Sequence, residues 1–147
     1  MRKILYGLLI FLLVAIVSCS KEKDGKQAEE EALESFFKPY GDTCFVEHEG
    51  VYLYFTVEGQ EEFKDGDSLT LIYSGRTLEN VKNFQDSIRT IYPDGGMVEG
   101  WVIAQKYLKK NSEGILVVPY KKGYGKRRVG TIEPFSTLVY TFRAKSM

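Results

Sequence analysis

Apolar positions form three successive patterns along the chain. From Ile4 to Val17 they are continuous, interrupted only by Tyr6 and Gly7. As a helix this run would reach about 21 Å, short of the roughly 30 Å of a bilayer core. From Ser20 to Glu31 apolar residues almost vanish, the pattern of a flexible tether. Ala32, Leu33, Phe36 and Phe37 then recur at helical spacing, with acids early and Lys38 late. This predicts a short helix over Glu29–Lys38, stopped by Pro39, whose aromatic pair docks on the C-terminal domain. From Val51 the period falls to two. Strands are predicted at Val51–Val57, at Ser68–Ser74 with Leu69, Leu71 and Tyr73 on one face, at Ile115–Val118, closed by Pro119, and at Thr137–Arg143. Phe63–Asp67 reads as a turn. Between the strands, Trp101, Ala104 and Leu108 mark one face of a helix over Gly100–Lys110, with Asn111 as its left-handed cap. Several strands and one short helix predict an α+β domain with a mainly antiparallel sheet, whose apolar face that helix covers.

The flanks of the first run give it a purpose. Arg2 and Lys3 precede it and Ala15-Ile16-Val17-Ser18-Cys19 ends it. A short positive segment and a short apolar stretch suit a signal peptide. A branched residue at Ile16 and a small one at Ser18 before Cys19 resemble a lipobox. In such a site the thiol takes a diacylglycerol group and cleavage leaves an acylated N-terminus. Two or three chains, at about 0.8 kcal/mol per buried CH₂, give stable anchoring. The expected organisation is a signal peptide over 1–18, the lipidated Cys19 and a flexible tether over 19–31, a short helix and connection over 32–50, and one domain over 51–147. The mature protein is expected in the cell envelope, facing the periplasm or the cell surface. Ser20-Lys21-Glu22-Lys23-Asp24 reads either as an export signal to the outer surface or as plain linker.

Composition removes other functions. Twenty basic and twenty acidic residues balance, and loss of Arg2 and Lys3 leaves the mature chain at −2, so no global basic character points to nucleic acid. With Cys19 acylated, Cys44 is the remaining thiol. No internal disulfide forms, and Cys44 is expected to be buried. One histidine, His48, and one thiol do not make a typical transition-metal site; His48 is expected at the surface or at a strand edge. Nor is there a Gly-x-Ser-x-Gly elbow, and Gly123-Tyr124-Gly125-Lys126 lacks phosphate-loop spacing. No metal or cofactor is expected. Lys121, Lys122, Lys126, Arg127 and Arg128 cluster beside Tyr120 and Tyr124, either as a solvated loop or as a contact for anionic lipid or polymer.

Five segments, in order, carry a resemblance. They are Gly66-Asp67-Ser68-Leu69-Thr70-Leu71-Ile72-Tyr73-Ser74-Gly75, Phe84-Gln85-Asp86-Ser87, Met97-Val98-Glu99-Gly100-Trp101, Val117-Val118-Pro119 with Gly123-Tyr124-Gly125 after it, and Thr131-Ile132-Glu133-Pro134-Phe135-Ser136-Thr137-Leu138-Val139-Tyr140. Together they resemble the FKBP-type peptidyl-prolyl isomerases, from Val51 to Lys145. The resemblance implies an FKBP-like fold and a proline pocket with Trp101 as its floor. Catalytic positions fall on Tyr73, Phe84, Asp86, Trp101, Tyr124 and Tyr140, and substrate-binding positions on Met97, Val98 and Ile132. The pocket aspartate falls on Asp86, or on Gln85 without an inserted residue; a one-residue bulge favours Asp86. The chain departs from the family in the short stretch between Asp86 and Met97 and in Glu133, where the first of two prolines is usual. The implied partners are proline-containing segments of exported proteins and, through the lipid, a membrane. Two functions are implied: a prolyl isomerase that assists folding, or a catalytically weak or inactive binding module within an envelope lipoprotein assembly.

Overall fold

The computed structural model describes residues 26–41, 43–64, 69–80, 84–91 and 97–146, with the backbone alone for 85–91 and 146. The signal peptide and Cys19 therefore lie outside the described residues. The chain divides into two compact units, Met1–Ser35 and Phe36–Met147.

Helix α1 spans 26–37. It starts before the expected Glu29 and takes in 26–28, which the polar composition assigns to the tether alone. Side-chain pairs one turn apart support this start, Lys26 with Glu30 at 3.3 Å and Gln27 with Glu31 at 3.1 Å, as such spacings do on a helix surface. Pro39 falls inside a 3₁₀ turn, Lys38–Tyr40, that continues past the helix. Among the described residues no helix is long and apolar enough to cross a membrane.

The second unit is built on strands β1 (Val46–His48), β2 (Val51–Val57), β3 (Glu61–Glu62), β4 (Leu69–Thr77), β5 (Gln85–Ile91), β6 (Lys109–Lys110), β7 (Glu113–Val118) and β8 (Leu138–Ser146). Six form one sheet in the order β1-β2-β7-β8-β4-β5, every pair antiparallel, and β3 pairs with β6. Glu49 and Gly50 join β1 to β2 with φ of 49° and 87°, the positive pair that a two-residue hairpin demands.

Helix α2 (Glu99–Gln105) covers one sheet face and buries Trp101, Ile103 and Ala104. It is shorter than the spacing predicted. After Gln105 the amides of Lys106 and Tyr107 bond to carbonyls only three residues back, so the helix tightens and ends. Leu108 is buried outside it, and Lys109–Lys110 extend to meet β3. Asn111 has the expected left-handed φ of 64°, but it turns β6 into β7 and does not cap the helix.

Alternation sorts the sheet residues onto two faces. Toward α2 lie Val51 and Leu53, Leu69, Leu71 and Tyr73, Leu116 and Val118, and Leu138, Tyr140 and Phe142, all in one buried core. The outer face carries a second aromatic layer. There Phe37 stacks within 5.0 Å of Tyr52, Phe45 within 5.4 Å of Tyr54, and Phe36 and Tyr40 join them. Cys44 sits beside this layer half-buried and not buried as expected, because its thiol donates to the carbonyl of Tyr40 in the turn that leads into β1. His48 ends edge strand β1 and stacks on Tyr107 at 3.9 Å.

Candidate active site

The site grows from three pieces of backbone. The first is the start of α2. Val98 approaches in extended conformation, and the amide of Trp101 bonds to the carbonyl of Val98 at 2.9 Å. Gly100 is needed there because a Cβ would collide with the methyls of Val118. Its absence lets α2 settle onto β7 and seats Trp101, 1% exposed, against the sheet. Met97 and Val98 remain half-buried and pack on the same core.

The second piece is the inner face of β4 and β8. The register sets Tyr73 opposite Phe142 and Gly75 opposite Tyr140. The Trp101 ring meets Tyr140 at 5.2 Å, Tyr73 at 5.6 Å and Phe142 at 5.9 Å. Tyr73 and Tyr140 meet edge to face at 5.9 Å, and Phe84 extends the cluster, at 6.0 Å from Tyr140 and 88°. These separations suit tilted and edge-to-face aromatic packing.

Gly75 is a structural requirement of that wall. An added Cβ would lie 2.7 Å from Tyr140 Cε1 and 2.8 Å from Phe84 Cζ. The Phe84 amide also bonds to the Gly75 carbonyl at 2.8 Å, which limits retreat of that ring. Gly75→Ala is expected to cost about 1–3 kcal/mol through overpacking, measured by urea denaturation, and to displace Phe84.

The third piece is the loop from Pro119 to Thr137. Backbone bonds hold it: Gly125 N–H to Tyr120 O at 2.9 Å, Phe135 N–H to Gly125 O at 2.8 Å, and a reciprocal pair between Val129 and Ile132. They fix Ile132, buried, and Tyr124, half-buried, against the core around Trp101.

Burial keeps the Tyr140 hydroxyl of the site in its neutral form. Burial pushes the Tyr140 hydroxyl well above its ordinary value, nearby Tyr124 and Tyr73 add to this, and the Trp101 indole N–H opposes it in part. Tyr140 is therefore a protonated, hydrogen-bonding hydroxyl at neutral pH and no proton acceptor. In the unfolded chain it ionises near 10.0, while in the folded chain it keeps its proton to higher pH. The unfolded state then binds fewer protons above about pH 10, and stability falls with a slope approaching 1.4 kcal/mol per unit. Tyr140→Phe should lose that component, read from urea midpoints across the alkaline range.

Of the residues singled out in the sequence, Tyr73, Phe84, Trp101 and Tyr140 meet ring to ring, and Met97, Val98, Tyr124 and Ile132 pack on the same core. For the ninth only the strand position is described. Asp86 pairs with Ser74, and Gln85 pairs with Gly75. Sequence reasoning missed Phe142, although it comes two residues after Tyr140 on the same strand face and touches Trp101.

Residues 59–143 match the family of FKBP-type peptidyl-prolyl cis-trans isomerases. The isomerase FkpA of Escherichia coli K12 is 37% identical over 81 residues, covering 52% of this chain and 30% of that protein. FkpA of Buchnera aphidicola is 31% identical over 96 residues, covering 62% and 38%. The chain thus spans well under half the length of these relatives. The crystal structure of the Escherichia coli protein superposes with a TM-score of 0.68 at 27% identity, over 84% of this chain and 61% of that one. A peptidyl-prolyl isomerase from Pseudomonas syringae shares the fold, with a TM-score of 0.71 at 20% identity, over 84% and 92%. A sequence match over most of the domain and the same antiparallel sheet around one short helix agree: the chain belongs to the FKBP-type peptidyl-prolyl cis-trans isomerase family.

Proposed function

We propose that this protein is a lipid-anchored prolyl isomerase of the cell envelope that assists the folding of exported proteins. The observation that carries the enzymatic part is the convergence of Tyr73, Phe84, Trp101 and Tyr140 on one buried aromatic wall, bordered by Met97, Val98, Tyr124 and Ile132. Resonance holds a peptide bond planar behind a barrier of about 18–20 kcal/mol. An X-Pro bond has nearly balanced isomers that interconvert over tens of seconds or longer. In the twisted transition state the amide loses resonance and its carbonyl is less polar. A dry, apolar pocket therefore opposes the planar amide more than the twisted one, and such differential binding is catalysis. The chemistry needs no nucleophile.

The residues divide the work. Trp101 forms the floor for the proline ring, and Phe84, Met97, Val98 and Ile132 close its sides against water. Tyr124 holds the substrate backbone by its hydroxyl. Tyr73 and Tyr140 keep the wall in shape. Asp86, on the strand beside β4, orients the surroundings of the rotating carbonyl.

Placement in the envelope rests on the N-terminal sequence, where Arg2, Lys3, the run to Val17 and the Ile16–Cys19 pattern match a lipoprotein signal. Acylated Cys19 would hold the domain at a membrane surface, facing the periplasm or the cell exterior, where unfolded exported chains emerge. The test is refolding of a protein limited by proline isomerisation, a phase of about 10–100 s at 25 °C. The full chain should shorten that phase in proportion to its concentration. Binding of the unfolded protein with an unchanged slow phase would replace the enzyme with a binding module.

A further inference from the structure

The loop that carries Tyr124 is strongly cationic, and proline isomerisation does not require it to be. Between Glu113 and Glu133 the sequence holds no acid and five bases. Lys122 bonds Glu99 at 2.5 Å and Arg128 pairs with Glu133. Lys121 and Arg127 lie exposed. The whole chain is balanced, so this is a local concentration against an otherwise acidic remainder.

Geometry ties these charges to the site. Arg127 donates its backbone N–H to the carbonyl of Tyr124 at 3.3 Å. Lys121 holds its ammonium 5.9 Å from the ring of Tyr120, whose carbonyl accepts from Gly125, next to Tyr124. A peptide with its proline on Trp101 and its backbone at Tyr124 runs along this loop. An extended chain advances about 3.3–3.6 Å per residue, so side chains two or three residues from the proline lie roughly 7–11 Å along the peptide, a reach comparable with the screening length at ordinary salt.

We infer that the loop from Pro119 to Thr137 selects proline segments flanked by Asp or Glu, with Lys121 and Arg127 as the specificity-determining residues. This rests on the isomerase reading and adds the class of segment taken. Continuity with the site favours an acidic peptide over anionic lipid, because the same backbone turn presents both Tyr124 and the cations.

The test uses the full chain reconstituted in phosphatidylcholine vesicles and three peptides alike except for Glu, Ala or Lys two residues from the proline on either side. The ratio of kcat/KM for Glu over Lys should be about five-fold or more at low salt and shrink toward unity at high salt, as for exposed charges. In K121E/R127E the Glu-over-Lys ratio should fall to one or invert. Equal rates for the three peptides would overturn the inference and leave the isomerase reading standing. If no peptide is accelerated, the isomerase reading fails by itself, and anisotropy of the same labelled peptides then decides: tighter binding of the Glu peptide, lost in K121E/R127E, supports selection, and equal affinities overturn it. Vesicles containing phosphatidylglycerol cover the other source of negative charge. Protection of the loop from trypsin on those vesicles alone, with equal peptide rates, would assign it to lipid.

Discussion

Trp101→Ala is expected to abolish most of the isomerase activity and to cost about 3–5 kcal/mol of stability, the range for truncating a buried aromatic. The indole is 1% exposed and contacts three other rings, Tyr73, Tyr140 and Phe142. Its loss opens the floor of the site to water, which solvates the planar amide and removes the differential binding. A domain stabilised by only some 5–15 kcal/mol in total tolerates such a loss poorly, so circular dichroism and denaturation must establish that the variant is folded before its rate is read. Trp101→Phe separates the two effects, since it keeps an apolar floor while shedding the indole N–H near Tyr140. Its rate should lie between wild type and Trp101→Ala, at a smaller stability cost. Asp86→Ala should cost less activity than Trp101→Ala, because it alters orientation and leaves the floor intact.

Cys19→Ser should release the protein from the membrane altogether. Single acyl chains bind membranes only marginally, and stable attachment needs two or more. In the lipobox reading Cys19 supplies the thioether for both diacylglycerol chains and, after cleavage, the amine that a third would acylate. Serine offers no thiolate, so the whole anchor is lost in one step. Palmitate labelling measures it: wild type should incorporate label and fractionate with membranes, whereas Cys19→Ser should do neither. Labelling that survives the substitution would contradict the lipobox.

The domain was legible wherever one face of an element is buried and the other is not. Leu69, Leu71 and Tyr73 repeat with period two because β4 buries that face and leaves the other half-buried. Strand β5 was not legible as a strand: Gln85-Asp86-Ser87-Ile88-Arg89-Thr90-Ile91 has no sustained alternation and is held at the sheet edge by its backbone pairing with β4. The β3–β6 ribbon consists of Glu61-Glu62 against Lys109-Lys110, a charged pairing that no apolar pattern can announce. The helix was read too long because Leu108 keeps the helical spacing of Trp101 and Ala104 although the chain has already left the helix. The candidate site residues were singled out by ordered motifs and not by periodicity, since Trp101 and Tyr140 are core residues by any count of apolar positions. The requirement for Gly75 could not be read at all, because it depends on where the rings of Tyr140 and Phe84 come to lie.

The proposed enzyme turns X-Pro bonds in an aromatic site without proton transfer by a group that titrates near neutrality. The most direct measurement is the isomerisation rate of a Leu-Pro peptide with and without the folded wild-type chain, monitored without a coupling protease between about pH 6 and 8, where no group of ordinary pKa need change for this mechanism. The account predicts acceleration proportional to enzyme concentration and nearly flat across that range. A folded protein that leaves the uncatalysed rate unchanged on this and other X-Pro peptides would contradict it.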